Sequence, residues 1–245
     1  GATVLVNARR SAPEELGDVA QLKTKAPIEA SPKSGRVDLK NQIDGWVESF
    51  GSKLLHCLNT SVPGKHLEGE ADITTVIYRD RYLNAPLPVA LLLSFIGAIK
   101  DMHLARWDNP TMEIVSVAVP EDGRSFAAPS QVFHNWPSTT DRDRAIKEAF
   151  DHRGINAVVR NLSKSLASHA RTLEIGMSDG HKLKLWFDQG FGYWTSPRPG
   201  TRAAQTASTW FGFNEQFSWQ GEELFKGRYA IEGQSFPTHI FFEKT

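Results

Sequence analysis

Residues 155–194, INAVVRNLSKSLASHARTLEIGMSDGHKLKLWFDQGFGYW, hold the pattern that decides the fold. Two runs within this stretch, 172–175 and 182–187, alternate apolar and polar side chains, which is typical of half-buried β-strands. Asp179 and Gly180 lie between the two runs, and an Asp-Gly pair in that position favours a hairpin turn. The stretch therefore predicts a strand over 155–162 followed by a two-stranded hairpin.

The same alternation places two basic residues on the apolar side of the first hairpin strand. His169 and Arg171 share a face with Leu173 and Ile175. A cation on a buried face costs free energy unless it meets an anion or hydrogen-bond acceptors. We therefore expect Arg171 to be partly buried and paired with a carboxylate or a backbone carbonyl, either to brace the sheet or to bind an anion.

Strands and helices alternate along the chain before this stretch. β-Branched and apolar runs predict strands at 73–79 and 112–119, and amphipathic spacing predicts helices at 38–59, 87–101 and 140–153. This order favours an α/β fold, with a mixed β-sheet flanked by helices. The aromatic-rich tail, 208–242, is expected to form a C-terminal β extension with strands at 230–231 and 239–242.

The proline pattern separates a leading segment from the rest of the chain. Residues 1–37 contain Pro13, Pro27 and Pro32 and show no sustained period, which predicts a linker or a strap on the surface. Residues 38–245 are then expected to form one α/β domain that begins with a helix. The chain starts with Gly1 rather than methionine, so we expect it to be a module of a larger protein with further domains.

Composition narrows the classes of function. The 28 basic residues balance 28 acidic ones, so binding to nucleic acid or to an anionic surface must come from a local patch. Cys57 is the only cysteine, which excludes an internal disulfide and a cysteine-built zinc site and favours a reducing, cytoplasmic location. No apolar run approaches the ~20 residues of a membrane span. No nucleotide-binding or zinc motif is found, so we expect neither a metal nor a cofactor.

One local concentration of basic and aromatic residues suggests a ligand surface. It consists of Arg160, Lys164, Arg171, Lys182 and Lys184 with Trp186 and Tyr193. Such a mixture suits a sugar-phosphate or a stacked base, and it equally suits a solvated strand face whose lysine stems cover the aromatic rings. The alternating charges of 141–153, Arg142 among them, predict an exposed helix face with salt bridges.

The order of several of these pieces resembles the phospholipase D superfamily. His169, Arg171 and the Asp179-Gly180 turn resemble its His-x-Lys strand and following Asp-Gly, with Arg171 in the place of the lysine and Asp179 two residues later. The chain is most similar to a non-catalytic branch, the C-terminal domain of MIT-domain proteins of the ESCRT pathway and its bacterial relatives. Asp80 and Tyr82, the strand with Lys182 and Lys184, and the segment from Asp188 to Tyr193 carry that likeness, which covers about 70–195.

This resemblance implies a function and a set of site residues. It implies a non-catalytic phospholipase-D-like module that binds a phosphate-bearing ligand, either nucleic acid or a phospholipid headgroup, or that mediates assembly. One alternative is a metal-independent phosphodiesterase or nuclease with His169 as nucleophile; it requires a homodimer, because one chain holds a single half-motif. A second alternative is a purely structural interaction domain. Asp80, Tyr82, Asp179, Gly180 and Asp188 are the structural residues of the implied motif.

Overall fold

A computed structural model describes residues 34–39, 43–61, 71–119, 136, 138–195 and 230–245. These residues form three α-helices, two short 3-10 helices and ten strands. The helices are α1 (Val47–Ser61), α2 (Pro86–Met102) and α3 (Thr139–His152). The first five strands are β1 (Ser34–Asp38), β2 (Gly45–Trp46), β3 (Ile73–Arg79), β4 (Met112–Val117) and β5 (Ala157–Leu162). The other five are β6 (Arg171–Met177), β7 (Lys182–Phe187), β8 (Trp194–Thr195), β9 (Ala230–Gly233) and β10 (His239–Lys244).

Seven strands form one mixed sheet in the order β1-β10-β7-β6-β3-β4-β5. β3, β4 and β5 run parallel to one another, whereas every other neighbouring pair in this sheet is antiparallel. The parallel strands are joined through α2 and α3, as right-handed crossovers require, and both crossovers step in the same direction across the sheet. Both helices therefore lie on one face of the sheet. A smaller sheet has the order β2-β9-β8.

The core lies between this face of the large sheet and the helices. α2 is buried around most of its circumference because it packs between the sheet and α1. An aromatic cluster fills the space beside it: the Phe191 ring lies 5.0 Å from that of Phe187, 5.6 Å from that of Tyr78 and 5.9 Å from that of Phe50. The opposite face of the large sheet carries none of the three described helices, and we call it the outer face.

The predicted α/β class with a mixed sheet flanked by helices is confirmed, and most element bounds agree within two residues. β3 and β7 have the predicted bounds, and β9 and β10 extend the two strands predicted in the tail. Of the segment 1–37, predicted to be a linker or a surface strap, residues 34–37 belong to β1 and pair with β10. The rest of that prediction, and residues 208–229 of the predicted β extension, fall outside the described residues.

The predicted N-terminal helix starts too early. The sequence pattern places its start at Asp38, but Asp38 ends β1 and α1 begins at Val47. Gly45 explains the late start, because its φ of 132° is incompatible with a helix and it pairs with Ile231 in the small sheet. Leu39 and Ile43 are nevertheless buried, so their apolar character reflects core packing outside the helix.

Gly51 lies at a close contact between α1 and α2. Its backbone N–H donates to Ser94 Oγ at 2.9 Å, and a Cβ added there would lie 2.0 Å from the Ser94 carbonyl oxygen. We expect Gly51→Ala to force the helices apart and to lower the free energy of unfolding by about 1–3 kcal/mol, as overpacking does. Chemical denaturation would measure this.

Gly192→Ala is the matched control for this change. A Cβ at Gly192 has no neighbour within 4 Å, so its effect should stay below about 1 kcal/mol. Equal destabilisation by the two substitutions would contradict a specific close contact between the helices.

Candidate functional site

The parallel strands bring several polar side chains to one edge of the large sheet. Asp80 follows β3, Ser116 lies near the end of β4, and Asn161 lies near the end of β5. β6 is antiparallel to β3, so its first residue, Arg171, lies at the same edge. Carboxyl ends of parallel strands are the usual binding edge of open α/β sheets, and we call this region the carboxyl edge.

Asp80 is the buried centre of this edge. Its carboxylate accepts hydrogen bonds from the Tyr78 hydroxyl at 3.1 Å and from the Tyr82 backbone N–H at 2.8 Å. Its carbonyl accepts from the Ser116 hydroxyl at 2.8 Å, which ties it to β4. Burial raises the pKa of the Asp80 carboxyl above its usual value, against the opposing effect of the Arg171 guanidinium. Burial, together with the nearby Asp80 charge, also raises the pKa of Tyr78 well above its usual value.

Arg171 is the cationic partner of Asp80. Its Nε lies 3.6 Å from an Asp80 carboxylate oxygen, and its Nη1 donates to the Asp188 backbone carbonyl at 3.0 Å. A Cβ on Gly190 would lie 2.1 Å from Arg171 Cδ, so only glycine allows the chain to pass there. Arg171 is therefore partly buried and has both kinds of partner that the strand alternation predicts.

His169 is held between two neighbouring side chains. Arg81 Nη1 lies 2.5 Å from His169 Nε2, and the Tyr82 hydroxyl lies 3.2 Å from Nδ1. A guanidinium can only donate, so Nε2 must accept and Nδ1 carries the proton. The lone pair of Nε2 therefore accepts a hydrogen bond from Arg81. Both guanidinium groups of the edge lie against the Tyr82 ring, Arg81 at 5.2 Å and Arg171 at 5.0 Å from its centroid.

Arg142 lies in the interior beneath the carboxyl edge. Its exposed fraction is 0%, and it forms hydrogen bonds with Asn84 Oδ1 at 3.1 Å, with the Val117 carbonyl at 2.7 Å and with the side chain of Asn161. Asp143 is its anionic partner at 2.8 Å, and burial lowers the pKa of Arg142 from its usual value. The prediction that Arg142 belongs to an exposed face is wrong.

The spacing of α3 contains the signal that identifies Arg142 as buried. Ala145, Ile146, Ala149 and Phe150 follow Arg142 at steps of three, four, seven and eight residues. These steps are those of one helical face, and that face packs into the core.

The residues of the predicted ligand surface do not all lie on one face of the sheet. Lys184, Trp186 and Arg160 lie on the outer face, and Lys182 is on the same side of β7. Lys164 is exposed in the β5–β6 connection. Tyr193 is buried, and its hydroxyl donates to the carbonyls of Gln234 at 2.9 Å and Phe236 at 2.6 Å. Its ring therefore packs in the interior and is not accessible to a stacking ligand.

The outer face carries an aromatic pair with a cation on it. Trp186 and Phe241 lie opposite each other on β7 and β10, and Phe241 is 44% exposed. Lys184 Nζ lies 4.9 Å from the centroid of the Trp186 ring. Glu174 links Arg79, at 2.8 Å, and Lys184, at 3.3 Å, beside this pair.

The described residues offer no evident metal centre. They contain no group of three or more histidine, cysteine, aspartate or glutamate side chains suited to holding a metal ion. Among the helices in this part of the chain, none is both long and apolar enough to cross a membrane.

The match to a known family defines the class of protein, a domain associated with nucleic-acid helicases. Residues 33–244 match the family described as DEAD/DEAH box helicase YjiV, C-terminal domain. This match covers most of the chain, and the chain belongs to that family. Comparison with curated proteins gives no match.

This family match overturns the predicted membership of the phospholipase-D-like family and of its MIT-associated branch. The function derived from it, a phospholipase-D-like module, is wrong as well, and neither the His169-dependent phosphodiesterase nor the structural alternative is better supported. The predicted strand between His169 and the Asp179-Gly180 turn is present as β6, and its length of roughly 20 Å prevents Asp179 from supporting the His169 imidazole. Asp179 instead accepts the His181 backbone N–H at 3.0 Å in the hairpin turn.

Removing Arg142 should strongly destabilise the fold. Arg142→Ala leaves Asp143, Asn161 and the Val117 carbonyl without their shared donor, and we expect a loss of about 3–5 kcal/mol in the free energy of unfolding. Lys147→Ala, at an exposed position of the same helix, should change it by less than about 0.5 kcal/mol. Urea denaturation of both variants checks this, and similar values for the two would contradict the role of Arg142.

The raised pKa of Asp80 predicts a pH dependence of stability. A carboxyl whose pKa is higher in the folded state binds its proton more tightly there, so its contribution to stability improves as pH falls through the folded pKa. Between about pH 7 and pH 4 the unmodified chain should therefore gain stability relative to Asp80→Asn, which has no titrating group at that position. Denaturant titrations of both proteins at several pH values measure the difference. A difference that shrinks on acidification would show that pairing with Arg171, rather than burial, dominates.

Proposed function

We propose that this chain is an accessory domain of a DEAD/DEAH-box helicase and that its outer face contacts a single nucleic-acid strand. The family match supports the first part, because the family is described as a C-terminal domain of such a helicase. Further domains of the parent protein and a cytoplasmic location belong to the same proposal.

The observation that carries the second part is the aromatic pair of Trp186 and Phe241. A half-exposed aromatic side chain on a sheet loses contact with water at little cost when a base stacks on it. Stacking on aromatic rings is how sheet surfaces bind single strands without regard to sequence, because every base has a flat face. Lys184 already lies against the Trp186 ring, where its ammonium can reach a phosphate next to a stacked base.

Several cations of the outer face are already paired with carboxylates, so we expect stacking to contribute more than charge to the affinity for a nucleic-acid strand. Arg79 and Lys184 share Glu174, and Arg160 lies 3.3 Å from Glu113. Exposed pairs of this kind contribute little to stability, so a phosphate can compete for their cations. Lys182 is exposed and adds a second lysine on the same strand as Lys184. We therefore expect a modest salt dependence, governed by these two lysines.

Replacing the aromatic ring should weaken binding to single-stranded oligonucleotides. Loss of one stacked base costs about 1–3 kcal/mol, so Trp186→Ala should lower the affinity by about 5- to 150-fold. Fluorescence anisotropy with labelled DNA and RNA strands would measure it. Trp46→Ala is the matched control, because Trp46 is 41% exposed but lies in the small sheet.

The lysines supply an independent measurement on the same complex. Two lysine contacts should contribute about −1.4 to the slope of the logarithm of affinity against the logarithm of salt concentration for a single strand. Lys182→Gln combined with Lys184→Gln should reduce the magnitude of the slope by about that amount. Unchanged binding in both the tryptophan and the lysine variants would rule out the outer face as the contact surface.

A further inference from the structure

Arg81 is a buried arginine whose charge has no anionic partner within the described residues. Its exposed fraction is 8%, and it follows Asp80 directly at the carboxyl edge. One guanidinium nitrogen meets His169 Nε2, and the group lies over the Tyr82 ring. No carboxylate of the described chain lies within 4 Å of it. A guanidinium withdrawn from water in this way is costly unless an anion compensates for it.

The carboxylate that directly precedes Arg81 in the sequence, that of Asp80, already has partners. The Asp80 carboxylate is shared between Arg171, the Tyr78 hydroxyl and the Tyr82 backbone N–H. Asp188 contributes a backbone carbonyl, which goes to Arg171. Asp80 and Arg171 therefore balance each other, and among the described residues the charge of Arg81 has no compensating carboxylate.

The surroundings of Arg81 suit a bound anion attached to a flat group. His169 is exposed and Tyr82 is 49% exposed, so both side chains are accessible from solvent, and the 8% exposed Arg81 is in contact with each of them. The Tyr82 hydroxyl accepts from His169 Nδ1, so its own O–H remains able to donate to an anion. The start of α2, at Pro86, lies five residues after Arg81, and its helix dipole adds positive potential at this edge.

We propose that the carboxyl edge holds one phosphate group of a nucleic-acid strand, bound by Arg81 through charge-assisted hydrogen bonds and flanked by the ring of Tyr82. Arginine suits this role because its planar fork can meet two phosphate oxygens at once. The choice of a nucleic-acid phosphate rests on the proposed function, whereas the need for an anion rests on Arg81 alone. The phosphate is either a terminal monoester or an internal diester, which share the oxygens that Arg81 recognises.

The experiment compares Arg81→Met with Arg106→Met in the full 245-residue chain. Arg106 is the matched control, because its Nη2 lies 2.9 Å from Nδ1 of another histidine, His103, in the 3-10 turn after α2. Affinities are measured for one single-stranded oligonucleotide with and without a 5′-phosphate. Line broadening of inorganic phosphate in phosphorus NMR gives a readout without any strand, and circular dichroism verifies folding.

Arg81→Met should weaken binding of the 5′-phosphorylated strand by about tenfold or more and remove the broadening of inorganic phosphate, whereas Arg106→Met should change neither. A loss confined to the phosphorylated strand identifies a terminal phosphate, and an equal loss for both strands identifies an internal one. Arg81→Lys keeps the charge but lacks the planar guanidinium that donates two hydrogen bonds, so it should give an intermediate loss. It replaces the methionine variant if that variant does not fold.

Unchanged affinity and unchanged broadening in Arg81→Met or Arg81→Lys would overturn this inference. The outcome for the outer face is separate. If Trp186→Ala weakens binding and the Arg81 variants do not, only the phosphate site is wrong. If inorganic phosphate binds through Arg81 but no strand binds, the phosphate site stands and the proposed nucleic-acid contact falls.

Discussion

The buried guanidinium of Arg142 connects the elements on which the carboxyl edge depends. It reaches the loop before α2 through Asn84, the end of β4 through the Val117 carbonyl, and β5 through Asn161, while its own helix, α3, supplies Asp143. One planar group with five donors can satisfy acceptors that diverge from four segments of chain. Neutral side chains could fill the same volume, but they would leave these acceptors unsatisfied inside the protein. The position of Asp80, held against Ser116 on β4, follows from this framework.

The bounds of the strands and of α1 show how much of this fold the sequence predicts. Alternation along β7 predicts its bounds correctly because this strand buries every second side chain, and β-branched residues predict those of β3, which alternates only from Val76 onward. The start of α1 is missed because Leu39 and Ile43 continue the helical spacing although they are not in the helix. The spacing of apolar residues indicates which side chains are buried. It does not determine the backbone conformation, which a single glycine such as Gly45 can change from helix to strand.

The candidate site is less predictable from the sequence than the fold, because its contacts join residues that are far apart in the chain. The hairpin pattern correctly places a strand between His169 and Asp179, but it does not indicate that Arg81 and Tyr82 contact His169. Arg81 carries no local sequence signal at all, since its burial results from contacts with residues far along the chain such as His169. Tyr193 is of a residue type that often stacks on ligands. Only its long-range hydrogen bonds to Gln234 and Phe236 show that it has a structural role in the interior.

The position of β10 has a consequence for the order of events in folding. β10 is inserted between β1 and β7, so β1 has no partner in the large sheet until residues 239–244 have been synthesised. Pairing between such distant segments slows folding, because the chain loses the entropy of closing a long loop before the stabilising contacts form. On the ribosome, the hairpin of β6 and β7 therefore presents an unpaired edge for a time, and that edge is where association with other nascent chains would begin.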